Sequence, residues 1–216
     1  METPIREPKA ESFLDWFRIN SRLVTVAAAV VVAVAFGVWF YNRSQVLKNE
    51  NADKKLLAAK QSLSSGNVPL AQSDLKKVAD QYGGTSAGAE AGMLLAQVKL
   101  DNNDNQGAVA TLKELADKNP TGNYAASIRA LLGDAYVQLG KPAEAADEYG
   151  KAALAAAGPN ERAMLMAKLG RALLAAGKKD KAREAWESLA NQDANPGLAA
   201  EARVRLGELL ATTEKS

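Results

Sequence analysis

From Leu23 to Tyr41 the chain reads LVTVAAAVVVAVAFGVWFY, with no charged residue, and beyond Asn51 apolar positions recur at helical spacing between polar ones. The first pattern is apolar on every face, unlike the single stripe of a surface helix. At about 1.5 Å per residue it rises roughly 28 Å, close to the hydrocarbon thickness of a bilayer. Trp39, Phe40 and Tyr41 close it as an interfacial aromatic belt, and Arg22 and Arg43 bracket it. Ala33-Val34-Ala35 has the form of a signal-peptide cleavage site, but the apolar run continues past Ala35 and ends in aromatics. The expectation is a retained transmembrane helix over residues 23–42. Upstream, Phe13, Trp16, Phe17 and Asn20 fall at helical spacing, as in a short helix in the headgroup region or the first turns of the span.

The second pattern repeats. Leu132, Gly133, Gly140, Ala145 and Tyr149 fall on Leu169, Gly170, Gly177, Ala182 and Trp186 at a constant offset of 37 residues. Backward steps find Leu95, Ala96, Asn103, Ala108 and Leu112, then Ala58, Ala59, Gly66, Ala71 and Leu75. Three alanine columns keep the offset: Ala71, Ala108, Ala145, Ala182; Ala79, Ala116, Ala153, Ala190; and Ala52, Ala89, Ala126, Ala163, Ala200. Leu206 and Gly207 begin a partial last unit. Self-similarity at this period is the mark of stacked helix pairs.

Small residues let paired helices approach, and Gly133 is expected to face the region of Ala145, with Tyr136 and Tyr149 filling the space beside that contact. Gly140 and Gly177 suit the left-handed residue that ends a helix, and Pro142 suits the first turn of the next. A single pair cannot bury both its faces, so the pairs should stack. The unit from Leu132 to Ala152 resembles the tetratricopeptide repeat: Leu132, Gly133, Tyr136, Gly140, Ala145, Tyr149 and Ala152 match its pattern, with Pro159 slightly late. The resemblance implies an all-α, right-handed helical solenoid of about four helix pairs plus a terminal helix. The organisation is then a stub over 1–22, the span over 23–42, a juxtamembrane linker or helix over 43–51, the repeat domain over 52–211 and a tail over 212–216. The first unit is the most degenerate, because Ala58 and Ser62 replace its large residues.

Composition removes most chemistry. Cysteine and histidine are both absent, which excludes disulfides, thiol nucleophiles, Cys/His zinc sites and the usual general base. With 27 Lys plus Arg against 25 Asp plus Glu the net charge is +2, too small a field to steer nucleic acid. YGGTSAGAEAG is glycine-rich but lacks the phosphate-loop Lys. DNNDN and NQDAN lack the Gly and Glu that a calcium loop requires. Asn42-Arg43-Ser44 matches a glycosylation sequon but abuts the span. Trp186 falls on a core position. The expectation is a non-enzymatic protein with no cofactor, no metal, no nucleic acid and no small-molecule substrate.

First helices line the concave face of such a solenoid. The expected partner-binding groove carries Met93, Ala130 and Ala167, with Gln97, Asp134 and Arg171 four residues on. Repeats that grip acidic C-termini place Lys and Asn here, whereas this chain has apolar residues followed by mixed charge, which suits an apolar or mixed protein segment. For each residue taken singly, a plain core or solvent-facing role fits as well.

FLDWFRINSRLVTVAAAVVVAVAFGVWFYNRSQ and RALLAAGKKDKAREAWESLANQDANPGLAAEARVRLGEL resemble the anchor and the C-terminal stretch of the YfgM-like family, ancillary subunits of the bacterial Sec translocon. The resemblance implies a single-pass protein of the bacterial cell inner membrane, with its N-terminus cytoplasmic and its repeats periplasmic. The implied partners are translocon components and a membrane-anchored periplasmic chaperone. Flanking charge does not decide the orientation: Lys9, Arg18 and Arg22 precede the span, and Arg43, Lys48, Lys54 and Lys55 follow it. The alternative is a structural or assembly subunit that clamps another bacterial membrane complex through the same repeats.

Overall fold

The computed structural model describes residue 16 and residues 18–191 and 195–213. The positions of Lys9, Phe13 and Phe17, residues 192–194 of the NQDAN turn and the tail from residue 214 lie outside the described residues. Among the described residues the regular structure is helical: α1 (Ser21–Ser64), α2 (Val68–Tyr82), α3 (Ser86–Asp101), α4 (Asn105–Lys118), α5 (Ala125–Gln138), α6 (Pro142–Ala155), α7 (Pro159–Ala175), α8 (Lys179–Ala190) and α9 (Pro196–Thr213). The chain divides into two compact units, Met1–Lys48 and Asn49–Ser216.

In the first unit, α1 is long and apolar enough to cross a membrane. Its most apolar window has a mean hydropathy of 2.5 and none of it is buried. Val26, Val30, Val34 and Phe36 are all exposed, the state of a helix whose side chains need an apolar medium. The rings of Phe36 and Trp39 lie 5.7 Å apart near its aromatic end. Residues 43–51 are helical.

The second unit is a stack of helical hairpins. The end of α1 pairs with α2, α3 with α4, α5 with α6 and α7 with α8, and α9 follows as a terminal helix. Each helix from α2 to α8 packs on the one that follows it, and α3 meets α5 and α7 meets α9 across a unit boundary. Burial follows the 37-residue offset. Ala71, Ala108, Ala145 and Ala182 are each 0% exposed. Ala52, Ala89, Ala126 and Ala163 are also buried, but Ala200 is exposed. The degenerate first unit is complete: Ala52, Leu56 and Ala59 share a core with Leu75, Val78 and Ala79 of α2.

The turns inside the hairpins are one structure made four times. Gly66, Asn103, Gly140 and Gly177 all have positive φ, from 61° to 78°. After each, a backbone N–H reaches back five residues: Asn67 to Ser62, Asp104 to Lys99, Lys141 to Tyr136 and Lys178 to Leu173. This pattern satisfies the last carbonyls of a helix and requires a left-handed residue, which glycine adopts without strain. The next helix then starts at once. The Asn67 and Asp104 side chains cap α2 and α4 by accepting from Leu70 N and Gly107 N, and Pro142 occupies the first turn of α6.

One sequence expectation is sharpened. The atoms nearest Gly133 belong to the ring of Tyr149, one turn beyond Ala145, and a Cβ on Gly133 would meet that ring at 2.6 Å. Gly170 faces Trp186 in the same way, at 2.5 Å. In the first two units the equivalent positions are Ala59 with Leu75 and Ala96 with Leu112, all four 0% exposed. Glycine therefore appears where the second helix supplies an aromatic ring, and alanine where it supplies a leucine. The reason is volume: a flat ring can lie against the first helix only if no Cβ stands there.

Candidate functional site

The third and fourth hairpins enclose an open, mainly apolar cleft of about 600 Å³. Val137 of α5 and Ala172 and Ala175 of α7 form its walls, and Gly140 and Pro142 form its rim at the hairpin turn. Val137 is 51% exposed, although its equivalent Leu100 in the second unit is buried. Three polar side chains complete the lining: Asp134, Lys168 and Arg171.

These polar groups are held in fixed positions. Lys168 Nζ donates to both carboxylate oxygens of Asp134, at 2.8 and 2.9 Å, across the boundary between the two hairpins. Tyr149 Oη donates to the same carboxylate at 2.6 Å, and Lys168 lies 5.6 Å from the Tyr149 ring centre. Burial, reinforced by the hydrogen bond to the Asp134 carboxylate, pushes the Tyr149 phenol well above its ordinary range, so it remains a donor. At the far wall, Arg171 grips Glu201 of α9 with two nitrogens, at 2.6 to 3.0 Å. A fork-on-fork pair of this kind fixes the guanidinium plane as well as its charge.

Of the six residues expected from sequence, Asp134 and Arg171 line this cleft. Ala167 is 1% exposed, inside the core. Met93 is half-buried against that core, and Ala130 packs on a smaller cluster around Ala126, Ala152 and Leu165. Gln97 is exposed and bonds to Asp101 on its own helix. Sequence reasoning missed Lys168 and Val137. Lys168 falls at a position that is leucine in the three preceding units, Leu57, Leu94 and Leu131, and the change to a cation there, repeated at Arg205, was the available signal. No cluster of three or more metal-ligating side chains occurs among the described residues.

The comparisons agree with the stacked helical hairpins. The tetratricopeptide repeat-like domain family matches residues 15–129 and 54–173, and a tetratricopeptide repeat family matches residues 167–215. The chain belongs to the tetratricopeptide repeat-like domain family. No curated protein matches it. Among solved structures, it is similar to a tetratricopeptide repeat protein from Parabacteroides merdae, with a TM-score of 0.60 at 11% identity over 77% of this chain and 63% of that one. It is similar to YrrB, described as a TPR protein with an unusual peptide-binding site, with a TM-score of 0.56 at 18% identity over 74% and 76% of the two chains. It is also similar to MamA, with a TM-score of 0.53 at 22% identity over 77% and 90%. At these identities the likeness establishes the fold.

Proposed function

We propose that this protein is a membrane-anchored, non-enzymatic module that binds polypeptide segments in the cleft between its third and fourth hairpins. The observation that carries the reading is the apolar wall made by the exposed Val137 and Ala175 over the buried Ala172, beside a pre-set Asp134–Lys168 pair. Apolar side chains of a bound segment displace water from that wall, and the fixed charges set its direction. The domain limits follow the apolar run for a span over 23–42 and the repeat register for a repeat domain over 52–211. The membrane, orientation and partner parts of the reading draw on the resemblance to the YfgM-like family. On that basis the span lies in a bacterial inner membrane, the repeats face the periplasm, and the partners are translocon components, a membrane-anchored chaperone and emerging envelope proteins.

The test is site-specific crosslinking in intact cells. Photo-reactive residues at Val137 and Ala175 are expected to capture translocon or chaperone subunits, and one at Glu187 on the outer face of α8 is not. Equal capture at all three positions would remove the cleft as the binding surface. Protease added to spheroplasts should digest the repeats, and their protection would reverse the orientation. Recovery in a fixed ratio with an unrelated membrane complex would favour a structural subunit instead.

A further inference from the structure

The glycine–aromatic rule established inside the stack is broken at one place. Gly207 of α9 stands at the position of Gly133 and Gly170, yet no atom lies within 4 Å of where its Cβ would be. Gly133 is filled by Tyr149 and Gly170 by Trp186. The residues that flank Gly207 on the same face tell the same story. Ala200 and Val204 are exposed, Val204 at 61%, while their equivalents Ala163 and Ala167 are 0% and 1% exposed. The opposite face of α9 is packed: Ala199, Ala202 and Leu209 are buried against the fourth hairpin.

We propose that this face of α9 is a docking surface for a helix from another polypeptide, which inserts an aromatic side chain at Gly207 as a second helix does within each hairpin. The chemistry of the occupant can be read from the two helices that already fill such a notch. Among the buried residues of α6, Ala145, Tyr149 and Ala152 follow one another at spacings of four and three, as Ala182, Trp186 and Leu189 do in α8. The occupant is therefore an amphipathic helix with a small residue, an aromatic ring four positions later, and a small or aliphatic residue three beyond that. A leucine-based helix is the wrong match, because the two units whose second helix carries leucine place alanine, not glycine, opposite it. Docking continues the packing of the stack by one more layer, so it needs no rearrangement of the units below. The surface is separate from the cleft at Val137 and does not depend on it.

The test uses the full chain in detergent micelles and a labelled peptide of Lys179–Asn191, held helical by a lactam bridge on its polar face. Fluorescence anisotropy is expected to give saturable one-to-one binding. Changing the peptide's tryptophan to alanine should weaken it at least tenfold. Gly207→Leu in the protein, which fills open space in a helix and so preserves folding, should weaken it by a similar factor. Lys168→Ala, in the cleft, should leave it unchanged. Backbone amide resonances of Val204 and Gly207 should shift on titration, and that of Gly150 should not. Absence of binding, or binding indifferent to Gly207→Leu, would overturn the proposal. A dimer of the chain that excludes the peptide and is lost in Gly207→Leu would overturn it in favour of a second copy as occupant.

Discussion

Tyr149 Oη donates to Asp134 at 2.6 Å, whereas Trp186, one unit further on, has a fully buried indole Nε1–H with no acceptor. The residue equivalent to Asp134 in that unit is Arg171, itself a donor, and it turns away to Glu201. The same packing position is thus polar and satisfied in one unit and polar and unsatisfied in the next. Tyr149→Phe is expected to lower stability by about 1.5–3 kcal/mol, the range for a hydrogen bond to a charged group. Replacing Trp186 with its sulfur isostere, benzothienylalanine, removes an unmet donor and should leave stability equal or raised by roughly 1–3 kcal/mol. Urea denaturation of both variants checks the pair.

The notch predicts a compensating pair. Gly170→Ala forces a methyl group into the Trp186 ring, at a cost of about 1–3 kcal/mol. Trp186→Leu alone leaves a void. Together they recreate the Ala96 and Leu112 arrangement of the second unit, so the double variant should be more stable than the sum of the single changes by roughly 0.5–3 kcal/mol. Strict additivity in thermal melts would mean that glycine is at this position for another reason.

Alkaline pH should act through Tyr149. Its phenol is held protonated in the fold, above its unfolded value near 10. The unfolded chain therefore releases this proton first, and the stabilisation is full below about pH 10 and declines as pH rises further. The difference in stability between the wild type and Tyr149→Phe should shrink steadily above that point. A constant difference would contradict the assignment.

Ala145→Leu should melt the repeats far more readily than Ala157→Leu. Ala145 is 0% exposed between helices, and added carbons there cost about 1–3 kcal/mol. Ala157 is exposed in the loop before α7. Similar melting shifts in circular dichroism would place the register of the units in error.

The columns that sequence comparison made visible were those in which one chemistry recurs. Ala71, Ala108, Ala145 and Ala182 announce a buried stripe because any larger side chain would clash, and Gly66, Gly140 and Gly177 announce the turns because positive φ admits little else. What the offset could not give was the partner of each column. Periodicity places Gly133 on a face, but only the hairpin geometry shows that the ring of Tyr149 lies directly against it. Nor could it show which members of a column lose their neighbours: Ala200 repeats Ala163 in identity and differs from it in burial. The cleft was half legible for the same reason. Asp134 and Arg171 stand in register, but Lys168 breaks a leucine column, and its pairing with Asp134 spans 34 residues, off the repeat length. The inter-unit pairs Lys60–Glu90 and Arg171–Glu201 span 30 residues each, a second spacing that appears only when neighbouring units are in contact.

The succession of contacts from each helix to the next has a consequence for how the chain acquires its shape. The core of the first unit, from Ala52 and Leu56 through Leu75 and Val78 to Ala91 and Leu95, is complete in sequence order by α3. Closing each hairpin needs only a short loop, so the entropy lost per contact is small and the search is local. A chain delivered N-terminus first can therefore mature in the order in which it emerges. Each new hairpin finds a finished surface to settle on, and the earlier units need not wait for α9.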